Sequence, residues 1–185
     1  AIAHAELRMP NVFGNKMVLQ RDKPVKLWGW ADADQKVEAR LGGQTLQATA
    51  DGKGQWAVQL KPMSANAKGQ ALVLKAGKET LTYEDVLIGE VWVCGGQSNM
   101  EWTLRSTRDA DIEMLSVDHP EIRFIRLPKV ARYKPQDDFP VEGPTKSEGN
   151  WRKCVPEQVD NCTAVGYYFA RRLRRALDTP VGLID

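Results

Sequence analysis

No apolar run in the 185-residue chain approaches the ~20 residues that a membrane-spanning helix needs, so no stretch reads as a membrane span. Charge of one sign is also missing. The chain carries 26 Lys and Arg against 24 Asp and Glu, a formal net charge of +2, which gives no electrostatic ground for a nucleic-acid partner. Histidine is scarce, with only His4 and His119. Cysteine is nearly as scarce, with Cys94, Cys154 and Cys162, and no Cys/His set has the spacing of a metal site. Neither a metal nor another cofactor is therefore expected. Cys154 and Cys162 could close a short disulfide loop, whereas Cys94 lies in an apolar run and reads as a buried thiol. The one local charge excess is Arg171-Arg172-Leu173-Arg174-Arg175. With Leu173 and Leu177 turned inward it reads as a solvated helix face rather than a phosphate or membrane patch. Ala3-His4-Ala5 has the small-x-small form of a signal-peptidase site, which points to a secretory leader and a periplasmic or secreted location.

What the chain does have is 42% hydrophobic and 27% charged residues, enough to bury a core. Residues 6–85 carry short period-two runs separated by turn signals. Candidate strands are 16–20, 25–30, 35–41, 44–49, 55–60, 71–75 and 80–83, with Gly42-Gly43 as a two-residue hairpin turn. So many short strands without a helix signal predict a small β-sandwich over 1–85. Trp28, Trp30 and Trp56 fall in these strands, either as core packing or as faces on which sugar rings stack. Tyr83-Glu84-Asp85 passes directly into Val86 with no linker, so a second domain over 86–185 should share a rigid interface with the first.

That second part turns on residues 86–104. Val86 to Val93 is apolar and β-branched, interrupted only by Gly89 and Glu90, and reads as a buried strand. Gly95-Gly96-Gln97-Ser98-Asn99 follows with almost no apolar bulk, and then Met100, Trp102 and Leu104 resume. A strand that ends in glycines and turns into a helix sets one small polar residue, Ser98, at the C-terminal edge of a sheet, where open α/β folds place their sites. Ser98 there serves either as a helix cap or as a nucleophile whose oxyanion is met by nearby N–H groups. Farther on, residues 100–116 read as a helix broken near Ser106-Thr107, and Ile122–Leu127 as a strand. Residues 128–150 form a long excursion able to wall a cleft. Thr163–Leu177 reads as a helix with Val165, Phe169, Leu173 and Leu177 on its inner face, and Val181–Ile184 as a third strand. Strands alternating with helices predict parallel pairing with right-handed crossovers.

Gly96-Gln97-Ser98-Asn99-Met100-Glu101, preceded by Gly89-Glu90-Val91-Trp92, resembles the nucleophile block of sialate O-acetylesterases and related carbohydrate esterases of the SGNH hydrolase superfamily. Pro10-Asn11-Val12-Phe13-Gly14-Asn15-Lys16-Met17-Val18-Leu19-Gln20-Arg21 is similar to that family's opening. Ala164–Phe169 and Pro180–Ile184 are similar to its later landmarks. The resemblance implies an α/β protein: an N-terminal β-sandwich followed by the first half of a flavodoxin-like three-layer domain with a parallel sheet. It implies Ser98 as catalytic nucleophile, Gln97 and Asn99 as support for the site, and an O-acetylated carbohydrate as substrate. The family's Asp-x-x-His block and its oxyanion Gly and Asn blocks have no counterpart among these residues. His119, in an Asp-His-Pro turn, reads as a surface or capping histidine. The expected partner is thus a C-terminal remainder carrying Asp and His, in the same polypeptide or as a cleaved second chain. The alternative is a non-catalytic carbohydrate-binding or assembly fragment that acts through the β-sandwich.

Overall fold

A computed structural model describes residues 6–141 and 148–185; His4 and the Ala3-His4-Ala5 site lie outside them, as does part of the 128–150 excursion. Strands β1 (Val18–Gln20), β2 (Val25–Trp30), β3 (Lys36–Leu41), β4 (Gln44–Thr49), β5 (Gln55–Leu60), β6 (Asn66–Ala76) and β7 (Glu79–Val93) come first. Gly42 and Gly43 take φ +57° and +76°, the two left-handed positions that a tight β3–β4 hairpin requires. Strands β4, β3, β6 and β7 form an antiparallel sheet, β2 and β5 a separate ladder. Alternate residues of both turn inward to one core that includes Leu27, Trp56, Leu60, Val37, Leu41, Leu72 and Leu74.

β7 is the spine. At 15 residues it joins both halves, so a boundary at 85/86 falls inside a single strand. Its first half alternates half-buried and exposed residues, whereas Val86–Gly89 is buried on both faces, as suits the middle of a sheet covered on each side. The change comes at Asp85, whose φ is +56°, beside register shifts in the β6–β7 ladder. Arg123 and Lys153 both bind Asp85 there, at 3.0 and 2.9 Å.

Helices α1 (Ser98–Glu101), α2 (Ala110–Ser116) and α3 (Ala164–Leu177) and strands β8 (His119–Ile125), β9 (Trp151–Cys154) and β10 (Val181–Ile184) complete the described chain. β10 pairs in parallel with both β7 and β8, as the alternation of strands and helices predicts. Their lateral order is β7–β10–β8, the third strand lying between the first two, whereas a flavodoxin-like sheet would have the first strand in the middle. β9 continues the sheet antiparallel to β8; its Trp-Arg-Lys-Cys sequence carries no strand pattern because only its two ends are buried.

Val181, Leu183, Ile122 and Phe124 face a second core built with Tyr167 and Ala170 of α3. Ile125, Ile184 and Trp151 belong instead to the first core, with Phe13 and Met17. One face of the parallel sheet thus carries helices and the other carries the N-terminal segment, so among the described residues helices cover one face only, not both as in the three-layer domain expected.

Three local expectations need correction. The span 100–116 is not one broken helix but a single turn (α1), a 3-10 turn over Leu104–Ser106, and α2. The inner face of α3 is Ala164, Gly166, Tyr167 and Ala170, so the Val165–Phe169–Leu173–Leu177 stripe is not its core face. Leu173 packs partly against the second core, but Val165, Phe169 and Leu177 are exposed. Small residues and Tyr167 fit closely over the sheet, whereas the apolar stripe points outward. Of the arginine run, Arg171 pairs with Glu113 and Arg174 with Glu121 and Asp178, while Arg172 and Arg175 are exposed.

Candidate active site

The site is built where β7 ends. Cys94 donates its N–H to Ile184 O at 2.7 Å, the last rung beside β10. The chain then leaves the sheet through Gly95 and Gly96. A Cβ on Gly96 would stand 2.5 Å from Met100 Cγ, so any side chain there would have to displace Met100 where the turn folds back onto α1. Gln97, not Ser98, is the N-cap of α1; its side chain makes no capping bond, and its carbonyl accepts from Met100 N at 2.8 Å. The cap alternative for Ser98 therefore does not apply. Ser98 is the first helical residue, exposed, and its Oγ has no hydrogen-bond partner among the described residues. Its setting is a single helical turn, so any oxyanion stabilisation comes from individual N–H groups rather than from a summed helix dipole.

Beneath the turn lies a cavity of about 250 Å³ lined by Cys94, Gly96, Met100, Arg126, Lys129 and Asp185, among others. Lys129 Nζ binds Glu101 at 2.6 Å and holds its carboxyl below the usual range. Asp185 behaves oppositely: burial pushes its carboxyl up, against the pull of Arg126 and Lys129, and its Oδ2 is buried without a hydrogen-bond partner among the described residues. Burial also raises the Cys94 thiol to about 11, helped by Asp185, so it is no nucleophile at neutral pH. The sequence reading missed Arg126, Lys129 and Asp185. Asp185 had a usable signal, since the residue after a buried parallel strand lies at the same C-terminal edge as the turn after β7.

The structure keeps His119 away from Ser98. β7, β10 and β8 end together, with Val93, Ile184 and Ile125 in register. His119 stands six residues before Ile125, at the far end of the sheet, about 20 Å along the strand direction. Its ring lies 6.4 Å from that of Tyr167, and burial together with Arg171 lowers its pKa. No group of three or more metal-ligating side chains and no helix able to cross a membrane occurs among the described residues. Cys154 and Cys162 are free, buried thiols, not the disulfide the sequence allowed.

A serine exposed on a strand–turn–helix at the C-terminal edge of a parallel sheet stands where open α/β folds set their functional residues. Comparison with known proteins bears on the class of the chain. No family model matches the chain. Human sialate O-acetylesterase is 27% identical over 96% of the chain, and the rat protein of that name is 28% identical over 96%. A solved carbohydrate acetylesterase from Xanthomonas citri superposes with a TM-score of 0.89 at 31% identity, over 96% of this chain. The chain is thus a relative of sialate O-acetylesterases and of a carbohydrate acetylesterase. It spans about a third of the curated relatives, 36% of the human protein, and 39% of the Xanthomonas chain.

Proposed function

We propose that this chain is the nucleophile-bearing part of a periplasmic or secreted serine esterase that removes O-acetyl groups from carbohydrates, sialic acid or a plant polysaccharide such as xylan or xyloglucan. The observation that carries the reading is the position of Ser98, exposed on the one-turn helix after β7 with no competing partner among the described residues. Ser98 Oγ attacks the acetyl carbonyl while a histidine takes its proton. The Ser98 N–H meets the oxyanion, and Gln97 and Asn99 brace the turn. The tetrahedral intermediate collapses as the histidine returns the proton to the departing sugar hydroxyl. Water then hydrolyses the acetyl-serine to acetate by the same proton relay.

Neither His119 nor any other described residue fills the base position, so the histidine and its aspartate belong to polypeptide matching the rest of the relatives' length. An exposed apolar surface beside the site suits that partner. Trp92 and Phe169 stack edge-to-face at 5.0 Å, yet each is about 40% exposed, 44% and 41%, and Val93 at the end of β7 is 76% exposed. Acetate release from acetylated xylan and from O-acetylated sialic acid by the full-length protein tests the proposal. Ser98→Ala should lower release at least a thousandfold, on the order seen for triad nucleophiles. Unchanged release would remove the esterase reading.

A further inference from the structure

The three sandwich-strand tryptophans, alternatives between core packing and sugar stacking in the sequence, take different places in the structure. Trp56 is core, 3% exposed. Trp30 is covered by the Arg8 guanidinium, 3.8 Å from its ring centroid. Trp28 is different: it faces outward from β2 and is 37% exposed, with the Phe13 ring edge-to-face against it, centroids 4.9 Å apart at 79°.

Two cavities meet at Trp28. One, of about 780 Å³, lies between β2 and the 128–140 segment and includes Pro128, Gln136 and Asp137 in its lining. The other, of about 390 Å³, includes Lys26, Trp56 and again Asp137. The segment that walls both is held in place. Asn11 donates its N–H to both carboxylate oxygens of Asp138, at 2.9 and 3.1 Å, and its Nδ2 to Phe139 O at 2.6 Å. Trp56 borders the smaller cavity, and its Nε1 is buried with no hydrogen-bond partner among the described residues, an unmet donor of the kind that native interiors rarely keep. Pro128 also lines the cavity that Gly95, Gly96 and Met100 border on either side of Ser98, so the Trp28 cleft and that cavity share a wall.

We propose that Trp28 is the platform of a saccharide subsite, on which a pyranose ring of a neutral oligosaccharide stacks while Lys26, Gln136 and Asp137 bind its hydroxyls. An indole face satisfies the apolar C–H side of such a ring, and flanking polar groups fix its orientation. The lining mixes Lys26, Arg132 and Lys134 with Asp51, Asp137 and Asp138, a balance that suits a neutral ligand rather than a polyanion. The shared wall at Pro128 makes this a subsite for sugars distant from the reacting acetyl group. The choice of carbohydrate rests on the esterase reading; the site itself rests on Trp28 and its two cavities.

The test is calorimetric and tryptophan-fluorescence titration of the 185-residue chain with xylohexaose and cellohexaose. At least one should bind, and Trp28→Ala should weaken binding about tenfold or more, with Asp137→Ala also weakening it. Near-ultraviolet circular dichroism checks that both variants stay folded. No binding of either sugar by the wild-type chain up to 10 mM, or binding unchanged within about twofold in both variants, would overturn the proposal. In the full-length protein, Trp28→Ala should raise KM for acetylated polysaccharide while leaving kcat and p-nitrophenyl acetate turnover unchanged. Ser98→Ala should abolish turnover but keep sugar binding, so failure of the subsite and failure of the esterase reading give different results.

Discussion

Removing Arg123 should loosen the point where β7 passes from one sheet to the other. Its side chain is 4% exposed and grips Asp85 with both arms, Nη1 to Oδ2 at 3.0 Å and Nη2 to Oδ1 at 3.2 Å. It also donates to the carbonyls of Lys16, at 3.2 Å, and Pro120, so it ties β8 to the N-terminal segment and to the bend in β7. Breaking a buried pair by deleting one partner costs about 3–5 kcal/mol, because the remaining charge is stranded. In Arg123→Ala the survivor is Asp85, which is 33% exposed and keeps Lys153 at 2.9 Å, so the low end, about 3 kcal/mol, applies. For a domain of this size that is a Tm loss of about 6–12 °C. Asp85→Ala should cost more, since it strands a guanidinium that is 4% exposed and puts alanine at φ +56°. Burial alone would raise the Asp85 carboxyl, but its hydrogen bonds from Arg123 and Lys153 outweigh that and hold it below the usual range. A depressed carboxylate stabilises above its unfolded pKa and loses that contribution as pH falls through the folded one. The Arg123→Ala penalty should therefore be full at pH 7 and shrink below about pH 4. Urea denaturation of both single variants and the double variant measures the coupling. A Tm loss under about 2 °C, or a coupling under about 0.5 kcal/mol, would refute the pin.

Three further outcomes follow from the site. Gly96→Ala places a methyl 2.5 Å from Met100 Cγ and should lower esterase activity of the full-length protein more than tenfold with little loss of Tm; unchanged kcat/KM would show that the turn does not need glycine. Cys94, its thiol raised to about 11, should react with a disulfide reagent at pH 8 roughly a hundredfold more slowly than a free cysteine, and reaction at the free rate would contradict its burial. Residues 1–185 alone should release no acetate from p-nitrophenyl acetate above background, and the polypeptide matching the rest of the relatives' length should restore it; full activity alone would require a base among the residues present.

The legible parts of the fold were those set by local pattern. β2, β4 and β5 lie within the runs read from alternation, and the Gly42-Gly43 turn follows from its demand for two left-handed residues. The turn carrying Ser98 was legible for the same reason, since loss of apolar bulk after a buried run marks a strand end. Long-range pairing was not legible. β9 lacks a strand pattern because only its two ends are buried, and nothing local tells β10 to insert between β7 and β8. The α3 stripe misled because an i, i+4 apolar row marks a face without saying whether the described chain covers it, and here Ala164, Gly166 and Ala170 allow closer packing. Lys129 comes to the site from the segment after β8, which has no periodicity from which to place it, and Arg126 from the end of the run read as a strand, whose pattern does not say what its side chain meets.

The central claim is that Ser98 carries the acyl group, and covalent trapping tests it most directly. Full-length protein treated with a fluorophosphonate and digested should give one modified peptide, with the adduct on Ser98 and none in Ser98→Ala. An adduct on another residue, or no adduct in protein that releases acetate, would contradict it.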